Sequence, residues 1–157
     1  MPTVIHYHFR QRFATPAKKT FKWCTDFCEG NIDHALMGNA SATRKITRVA
    51  ESTLILTDTF KTENGTVEKQ KLVELYPNLL SWNNTHLSGP YKYSQFLYQI
   101  TPDGKTACHL DFWGLQLAYQ PEKMTQAEVD AFAEKLCMED ADAWKLLAKA
   151  MKKDLST

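Results

Sequence analysis

The sequence lacks long apolar runs and any excess of charge. No segment approaches the ~18 consecutive apolar residues of a membrane-spanning helix, so we expect no integral membrane association. The formal net charge is +1 over 157 residues, which argues against a nucleic-acid surface, since such surfaces are strongly basic. Residues 1–8 lack the positive start and apolar core of a signal peptide. We therefore predict a cytoplasmic protein.

Cysteine, glycine and proline are also scarce, with four, six and six residues respectively. Cys24 and Cys28 could share a metal ion with His34, but no second ligand pair supports such a site. We interpret the cysteines as small packing residues and predict no metal and no cofactor. No linker, repeat or low-complexity tract interrupts the chain, so residues 1–157 are expected to form one domain.

The longest segment without glycine or proline follows Pro121 and includes residues 125–155. Its apolar residues recur every three or four positions, the spacing that places side chains on one face of an α-helix. Thr125 and Glu128 match a capping box. Acidic residues precede lysines along the segment, an order that complements the helix dipole. We predict one long amphipathic helix.

The rest of the chain is dominated by strand signals. Residues 4–13 alternate apolar and polar, and they are followed by Thr15-Pro16, which favours a helix with Thr15 as N-cap and Gly30 as stop signal. A second short helix is predicted at 32–37. Gly114 suggests a bulge or bend in the last strand. The remaining strands are predicted at residues 41–51, 53–62, 67–76, 79–86, 91–101 and 105–120.

Short turns between consecutive strands imply an antiparallel sheet. Asn64-Gly65 and Asp103-Gly104 are strong hairpin signals. A single sheet with one apolar face needs a cover, and the C-terminal helix is the only predicted element of sufficient length. The sequence therefore predicts an α+β domain in which a curved antiparallel sheet of about seven strands surrounds a long C-terminal helix, with two short helices after the first strand.

Three segments then suggest a family. Residues 13–26 (FATPAKKTFKWCTD) resemble the strand-to-helix entry of the START-like, Bet v 1-like superfamily, which includes polyketide cyclases and lipid-transport proteins. Residues 72–82 (LVELYPNLLSW) and 98–106 (YQITPDGKT) are similar to its middle and late hairpins. The element order agrees over the whole chain. The resemblance implies a helix-grip fold and an apolar cavity between sheet and helix, but no particular reaction.

The strand and helix spacings nominate side chains for that cavity. Alternation places them on the inner face of the sheet, and helical spacing places others on the inner stripe of the helix. A large aromatic set could instead simply fill the core. The predicted ligand-binding residues are Tyr7, Phe9, Trp82, Asn84, His86, Phe96, Tyr98, Leu110, Phe112, Leu136, Asp140 and Trp144.

Asp140 stands where the helix stripe calls for an apolar residue, between Leu136 and Trp144. A buried acid is paired or has a raised pKa, and such a group in a pocket can orient a ligand or move protons. Alternatively, Asp140 faces solvent at a kink, or caps a second helix that begins at Ala141. The neighbouring acids Glu139 and Asp142 favour the exposed alternatives.

His86 and Tyr98 are the other candidates for acid–base chemistry. His86 shares a predicted face with Trp82 and Asn84 near a turn, where it could titrate near neutral pH. It could equally be an exposed histidine at a strand end. Tyr98 and Asn84 could hydrogen-bond a ligand, although buried Tyr and Asn usually bond to the protein itself.

These observations favour a protein that binds a small hydrophobic or amphipathic molecule, such as a lipid, fatty acid or aromatic metabolite. They favour binding over catalysis. One alternative is an enzyme of the cyclase, aromatase or dehydratase kind that uses His86, Tyr98 or Asp140. The other is a protein-interaction module resembling the co-chaperone branch of the superfamily. That module would use the outer sheet face, where Trp113 lies between polar residues.

Overall fold

The computed structural model describes residues 1–27, 30–31 and 43–156. It contains two α-helices, α1 (Ala17–Cys24) and α2 (Gln126–Leu155), in the described part of the chain. The strands are β1 (Thr3–Phe13), β2 (Gly30–Asn31), β3 (Thr43–Ala50), β4 (Thr53–Thr62), β5 (Gly65–Tyr76), β6 (Ser81–His86), β7 (Gln95–Asp103) and β8 (Ala107–Ala118).

The strands form one antiparallel sheet in the order β1-β8-β7-β6-β5-β4-β3-β2. Only β1 departs from sequential order, because it pairs with the last strand, β8. Since β2 has only two residues, the prediction of about seven strands is confirmed by the longer ones. The predicted hairpins also occur: Gly65 and Gly104 have φ angles of 122° and 71°, which suit glycine in tight turns.

Helix α2 is continuous over 30 residues and begins with the predicted capping box. The Thr125 hydroxyl accepts a hydrogen bond from the Glu128 backbone N–H, and the Glu128 carboxylate accepts one from the Thr125 N–H. At 1.5 Å per residue the helix is about 45 Å long. It packs chiefly on β1 and buries Trp144, Leu147 and Met151. No helix in the described part of the chain is both long and apolar enough to cross a membrane.

Several local predictions need correction. The N-cap of α1 is Pro16, with no side-chain cap bond, and the helix ends at Cys24. Thr15 is therefore not the cap, and Gly30, predicted as the stop signal, is part of β2. Cys28, His34 and the second short helix predicted at 32–37 lie outside the described residues.

Three strand predictions also change. Strand β6 begins at Ser81 because Pro77–Leu79 forms a 3-10 turn, and Tyr91 precedes β7, which begins at Gln95. Gly114 lies within an uninterrupted register, opposite Tyr7 on β1 and Phe96 on β7. The predicted bulge is wrong. A Cβ atom at position 114 would lie 2.5 Å from the Tyr7 ring, so glycine makes room for that ring.

Candidate functional site

A cavity of about 350 Å³ separates the inner sheet face from α2. It forms because α2 covers the β1 side of the sheet, while the inner faces of β4 to β7 remain partly uncovered. Its wall consists mainly of aromatic side chains with a few polar groups between them. The lining residues are Tyr7, Trp23, Cys24, Asp26, Phe27, Arg44, Leu56, Lys71, Trp82, Asn84, His86, Tyr91, Phe96, Tyr98, Phe112, Gln116, Leu136, Asp140, Ala143, Trp144 and Leu147.

The strand period explains most of this lining. On β6, residues 82, 84 and 86 point inward because successive side chains alternate between faces. Their neighbours on β7, Phe96 and Tyr98, follow the same rule. Among the predicted ligand-binding residues, only Phe9 and Leu110 do not line the cavity. Both are buried in the core, Phe9 beneath a stacked Phe112 ring at 4.7 Å, which leaves neither in contact with the open space.

Stacked rings form the floor of the cavity. The Trp82 and Tyr98 rings are nearly parallel, with centroids 4.6 Å apart. Phe112 meets Tyr98 edge-on at 5.1 Å, and Trp144 of α2 packs on Tyr98 at 5.7 Å. Such pairs are favourable beyond the area they bury. The floor therefore presents flat apolar surfaces to whatever enters the cavity.

Asp140 points into the cavity, which decides between the alternatives left open by the sequence. Its carboxyl accepts a hydrogen bond from the Tyr7 hydroxyl at 2.5 Å. Helix α2 passes through this position without interruption, so no second helix begins at Ala141. Burial raises the pKa of Asp140, although the Tyr7 hydrogen bond opposes this shift. Burial and the Asp140 charge also raise the pKa of Tyr7.

A second polar pair lies on the sheet side. The Asn84 amide donates to the Tyr98 hydroxyl over 3.3 Å. The Asn84 carbonyl oxygen is buried and accepts no hydrogen bond from the described residues. Burial raises the pKa of Tyr98, and the Asp140 charge raises it further. Tyr98 is thus a neutral hydroxyl, and Asn84 leaves one acceptor unused inside the cavity.

His86 also lines the cavity and is half-buried, against the alternative of an exposed strand-end histidine. Its ring lies 5.0 Å from that of Phe96. Burial lowers the pKa of His86 to about 4, with help from the positive charges of Lys71 and Lys69. The expectation that His86 titrates near neutral pH is therefore wrong, because the cavity holds the imidazole in its neutral form.

Sequence reasoning missed the charged residues of β3, β4 and β5. Lys71 lines the cavity beside His86, its register partner on β6. Arg44, also in the lining, forms a buried ion pair with Asp58, with its Nε 2.6 Å from Oδ1. A signal was present, because Lys71 shares the inward parity of Val73 on β5. Lysine at a strand position is usually solvent-exposed, so this parity alone does not predict an inward side chain.

The outer face of the sheet carries Trp113 beside a polar cluster. Trp113 is 41% exposed and stacks on the His8 ring at 5.1 Å. Asp111 on the same face is buried, and its carboxylate accepts two hydrogen bonds from Arg10, of 3.0 and 3.1 Å, and lies 2.9 Å from a His8 ring nitrogen. The partner surface around Trp113 stays a prediction.

Several solved structures share this backbone architecture. The aromatase/cyclase Zhui from Streptomyces sp. R1128 aligns with a TM-score of 0.73 over 98% of this chain and 96% of its own, at 10% identity. A START superfamily protein from Mycobacterium smegmatis gives 0.67 over 95% and 98%, at 14% identity. The chain has the START-like, Bet v 1-like fold. The resemblance seen in the sequence is thereby confirmed at the level of fold.

A third structure that aligns with this chain is norcoclaurine synthase from Thalictrum flavum, in complex with dopamine and hydroxybenzaldehyde. It aligns with a TM-score of 0.65 over 98% of this chain and 87% of its own, at 15% identity. No family model and no curated protein matches the sequence. The similarity is therefore one of backbone architecture, and the chemistry of this cavity has to be argued from its own side chains.

Proposed function

We propose that the cavity binds one small amphipathic molecule with an aromatic or otherwise flat apolar body. The observation that carries this proposal is the ring-lined cavity in which the Asn84 carbonyl oxygen accepts no hydrogen bond from any residue that the structure describes. A buried acceptor without a partner is costly, and a ligand hydroxyl or amine would satisfy it. The aromatic compounds bound by norcoclaurine synthase support a ligand of this shape.

The size of the cavity limits the class of ligand that it can hold. A volume of about 350 Å³ lies at the lower end of the ~300–1,000 Å³ typical of small-molecule pockets. It favours a compact ligand over a lipid with two long chains. Burial of ~200 Å² of apolar ligand surface at ~25 cal/mol per Å² is worth about 5 kcal/mol, before the entropic cost of association.

Binding can be tested with N-phenyl-1-naphthylamine, a neutral aromatic probe that fluoresces when removed from water. We expect saturable binding to the wild-type protein. Ala143→Phe should weaken it at least ~10-fold, because Ala143 lines the cavity and the larger side chain occupies the space. Ala131→Phe is the matched control, since Ala131 is exposed on the same helix. Absence of binding, or equal effects of both substitutions, contradicts the proposal.

Native mass spectrometry offers an independent test. The protein purified after expression should carry a non-covalent adduct of small-molecule mass, and the adduct should be lost in Ala143→Phe but kept in Ala131→Phe. An adduct that persists unchanged in Ala143→Phe would place the bound molecule outside the cavity.

The Tyr7–Asp140 pair favours a second candidate function, proton transfer on a bound molecule. A carboxyl of raised pKa beside a phenol inside an apolar cavity is an arrangement suited to general acid–base catalysis. The molecule recovered with the protein would then be converted on incubation, and Asp140→Asn should stop conversion while probe binding stays within about twofold. An unchanged mass spectrum of the molecule after incubation with wild-type protein argues against this function.

A further inference from the structure

We propose that the ligand is an organic monoanion whose carboxylate is bound by Lys71, while its apolar body lies on the aromatic floor. This inference rests on the proposed function and specifies the chemistry of the same site. It gives a role to the Lys71 ammonium in the cavity wall, which a purely apolar ligand would not contact through a charged group.

The backbone register places Lys71 in the wall of the cavity. On β5 it lies opposite Leu56 of β4 and His86 of β6, and all three residues line the cavity. Its immediate surroundings are therefore an aliphatic side chain on one side and a neutral imidazole on the other. Neither group compensates the charge of an ammonium.

The carboxylate that acts on Lys71 already has a closer partner. Asp58 is 1% exposed, and the Arg44 guanidinium holds it with two hydrogen bonds, Nε–Oδ1 at 2.6 Å and Nη2–Oδ2 at 3.0 Å. The Lys71 ammonium makes no hydrogen bond, and no ion pair of 4.0 Å or less, with any described residue. Arg44 and Lys71 thus lie near the same buried carboxylate, and within the described part of the chain the Lys71 ammonium makes no direct ion pair.

An uncompensated ammonium away from water is unfavourable, and proteins usually pair such groups. Burial lowers the pKa of Lys71; Asp58 opposes this shift, while the positive charges of Arg44 and Lys69 add to it. A ligand carboxylate would supply the missing counter-charge. The His86 imidazole, neutral because of its low pKa, can donate an N–H to the same carboxylate without adding charge.

The charge balance favours a monoanion. The single Lys71 ammonium matches one negative charge, whereas a phosphate dianion would leave an excess negative charge in an apolar space. Two other polar groups of the lining disfavour a second anionic group, because Asp140 on α2 and the Asn84 carbonyl oxygen on β6 are acceptors, and the latter has no donor among the described residues. The ligand is therefore expected to carry its carboxylate toward β5 and only neutral donors toward Asn84 and Asp140.

The test compares 2-naphthoate with 2-naphthalenemethanol, which share one ring system and differ in charge, by displacement of N-phenyl-1-naphthylamine. Wild-type protein should bind the carboxylate more tightly. Lys71→Met should weaken naphthoate binding at least ~10-fold, since loss of one partner of a buried charged contact is costly, and should leave the alcohol within about twofold. Lys69→Met removes the same charge from an exposed position of β5 and should preserve the preference.

The outcomes separate the two proposals. If the neutral probe does not bind wild-type protein, the proposed function fails. If the probe binds but Lys71→Met and Lys69→Met have the same effect on naphthoate, only the anion proposal fails. Lys71→Met could change the packing of the cavity wall as well as remove the charge. Lys71→Gln controls for this, because it removes the charge but keeps a polar side chain. It should also lose the preference for the carboxylate, and retention of that preference would overturn the proposal.

Discussion

At the scale of single residues, the cavity depends on a glycine that was predicted for another reason. Gly114 and Tyr7 face each other across the β1–β8 pair, and the Tyr7 ring lies over the glycine, where a Cβ atom would be 2.5 Å away. That position lets the Tyr7 hydroxyl reach Asp140 on α2. A residue without a side chain thus positions the polar pair of the site.

Gly114→Ala tests this arrangement. The added methyl group should displace the Tyr7 ring and lower the free energy of unfolding by ~1–3 kcal/mol, the usual cost of overpacking a core. Urea denaturation measures the change. In Tyr7→Leu the same glycine substitution should cost clearly less, because the ring edge that it meets is absent. Equal costs in the two backgrounds would show that Tyr7 is not the group that requires glycine.

Asp140 should make stability depend on pH. In the unfolded chain its carboxyl titrates near the ordinary value of 3.8, whereas burial raises its pKa in the folded protein. Between these two values the folded state binds more protons than the unfolded state, so stability falls as pH rises through this window. The free energy of unfolding of the wild type should therefore decline relative to Asp140→Asn from about pH 4 upward.

Urea denaturation at several pH values between ~4 and ~8 checks this expectation. Asp142→Asn is the matched control, because Asp142 lies on the exposed face of the same helix. A difference between wild type and Asp140→Asn that is independent of pH would contradict a raised pKa at Asp140.

At the scale of elements, helix α2 depends on a capping box formed by neighbours in sequence and on packing against β1, which is distant in sequence. The capping box at Thr125 and Glu128 is exposed and depends only on neighbours in sequence. Thr125→Ala should therefore lower the free energy of unfolding by about 1 kcal/mol. Thr125→Ser, which keeps the hydroxyl, should restore most of this loss. Full stability of Thr125→Ala in thermal or urea denaturation would mean that packing on β1 alone holds the first turn.

The strands show what alternation can and cannot predict. On β6, period-two spacing correctly identified Trp82, Asn84 and His86 as one face, and the same rule applied to β5 would have found Lys71. The pKa of His86 was not predictable in this way. It depends on Lys71 and Lys69 across the strand pair and on burial, and neither strand by itself determines these.

At the scale of the whole molecule, a ligand that enters the cavity should stabilise the fold. N-phenyl-1-naphthylamine at ~100 times its Kd should add about 2.7 kcal/mol. For a chain of 157 residues this corresponds to a rise in Tm of ~5–10 °C. Differential scanning calorimetry measures it. Ala143→Phe should show little shift, and an equal shift in that variant would indicate binding elsewhere.

The sequence by itself determined the order of the longer elements, the antiparallel sheet, the long capped helix and the inward face of most strands, but not the short strand β2. These features follow from local periodicity, capping and turn chemistry, which act between near neighbours in the chain. The boundaries of α1 and β7 and the role of Gly114 were mistaken, because packing across the sheet decided them.

Only the tertiary structure decided that α2 leaves a cavity over β4 to β7, and which polar groups meet there. Tyr7 and Asp140 are 133 positions apart, and Arg44, Asp58 and Lys71 come from three strands. Periodicity states which face a side chain occupies, but not what lies opposite or how far away it is. Those distances depend on how sheet and helix pack, and they make Asp140 a half-buried acid of the cavity and leave the Lys71 ammonium without a direct ion pair among the described residues.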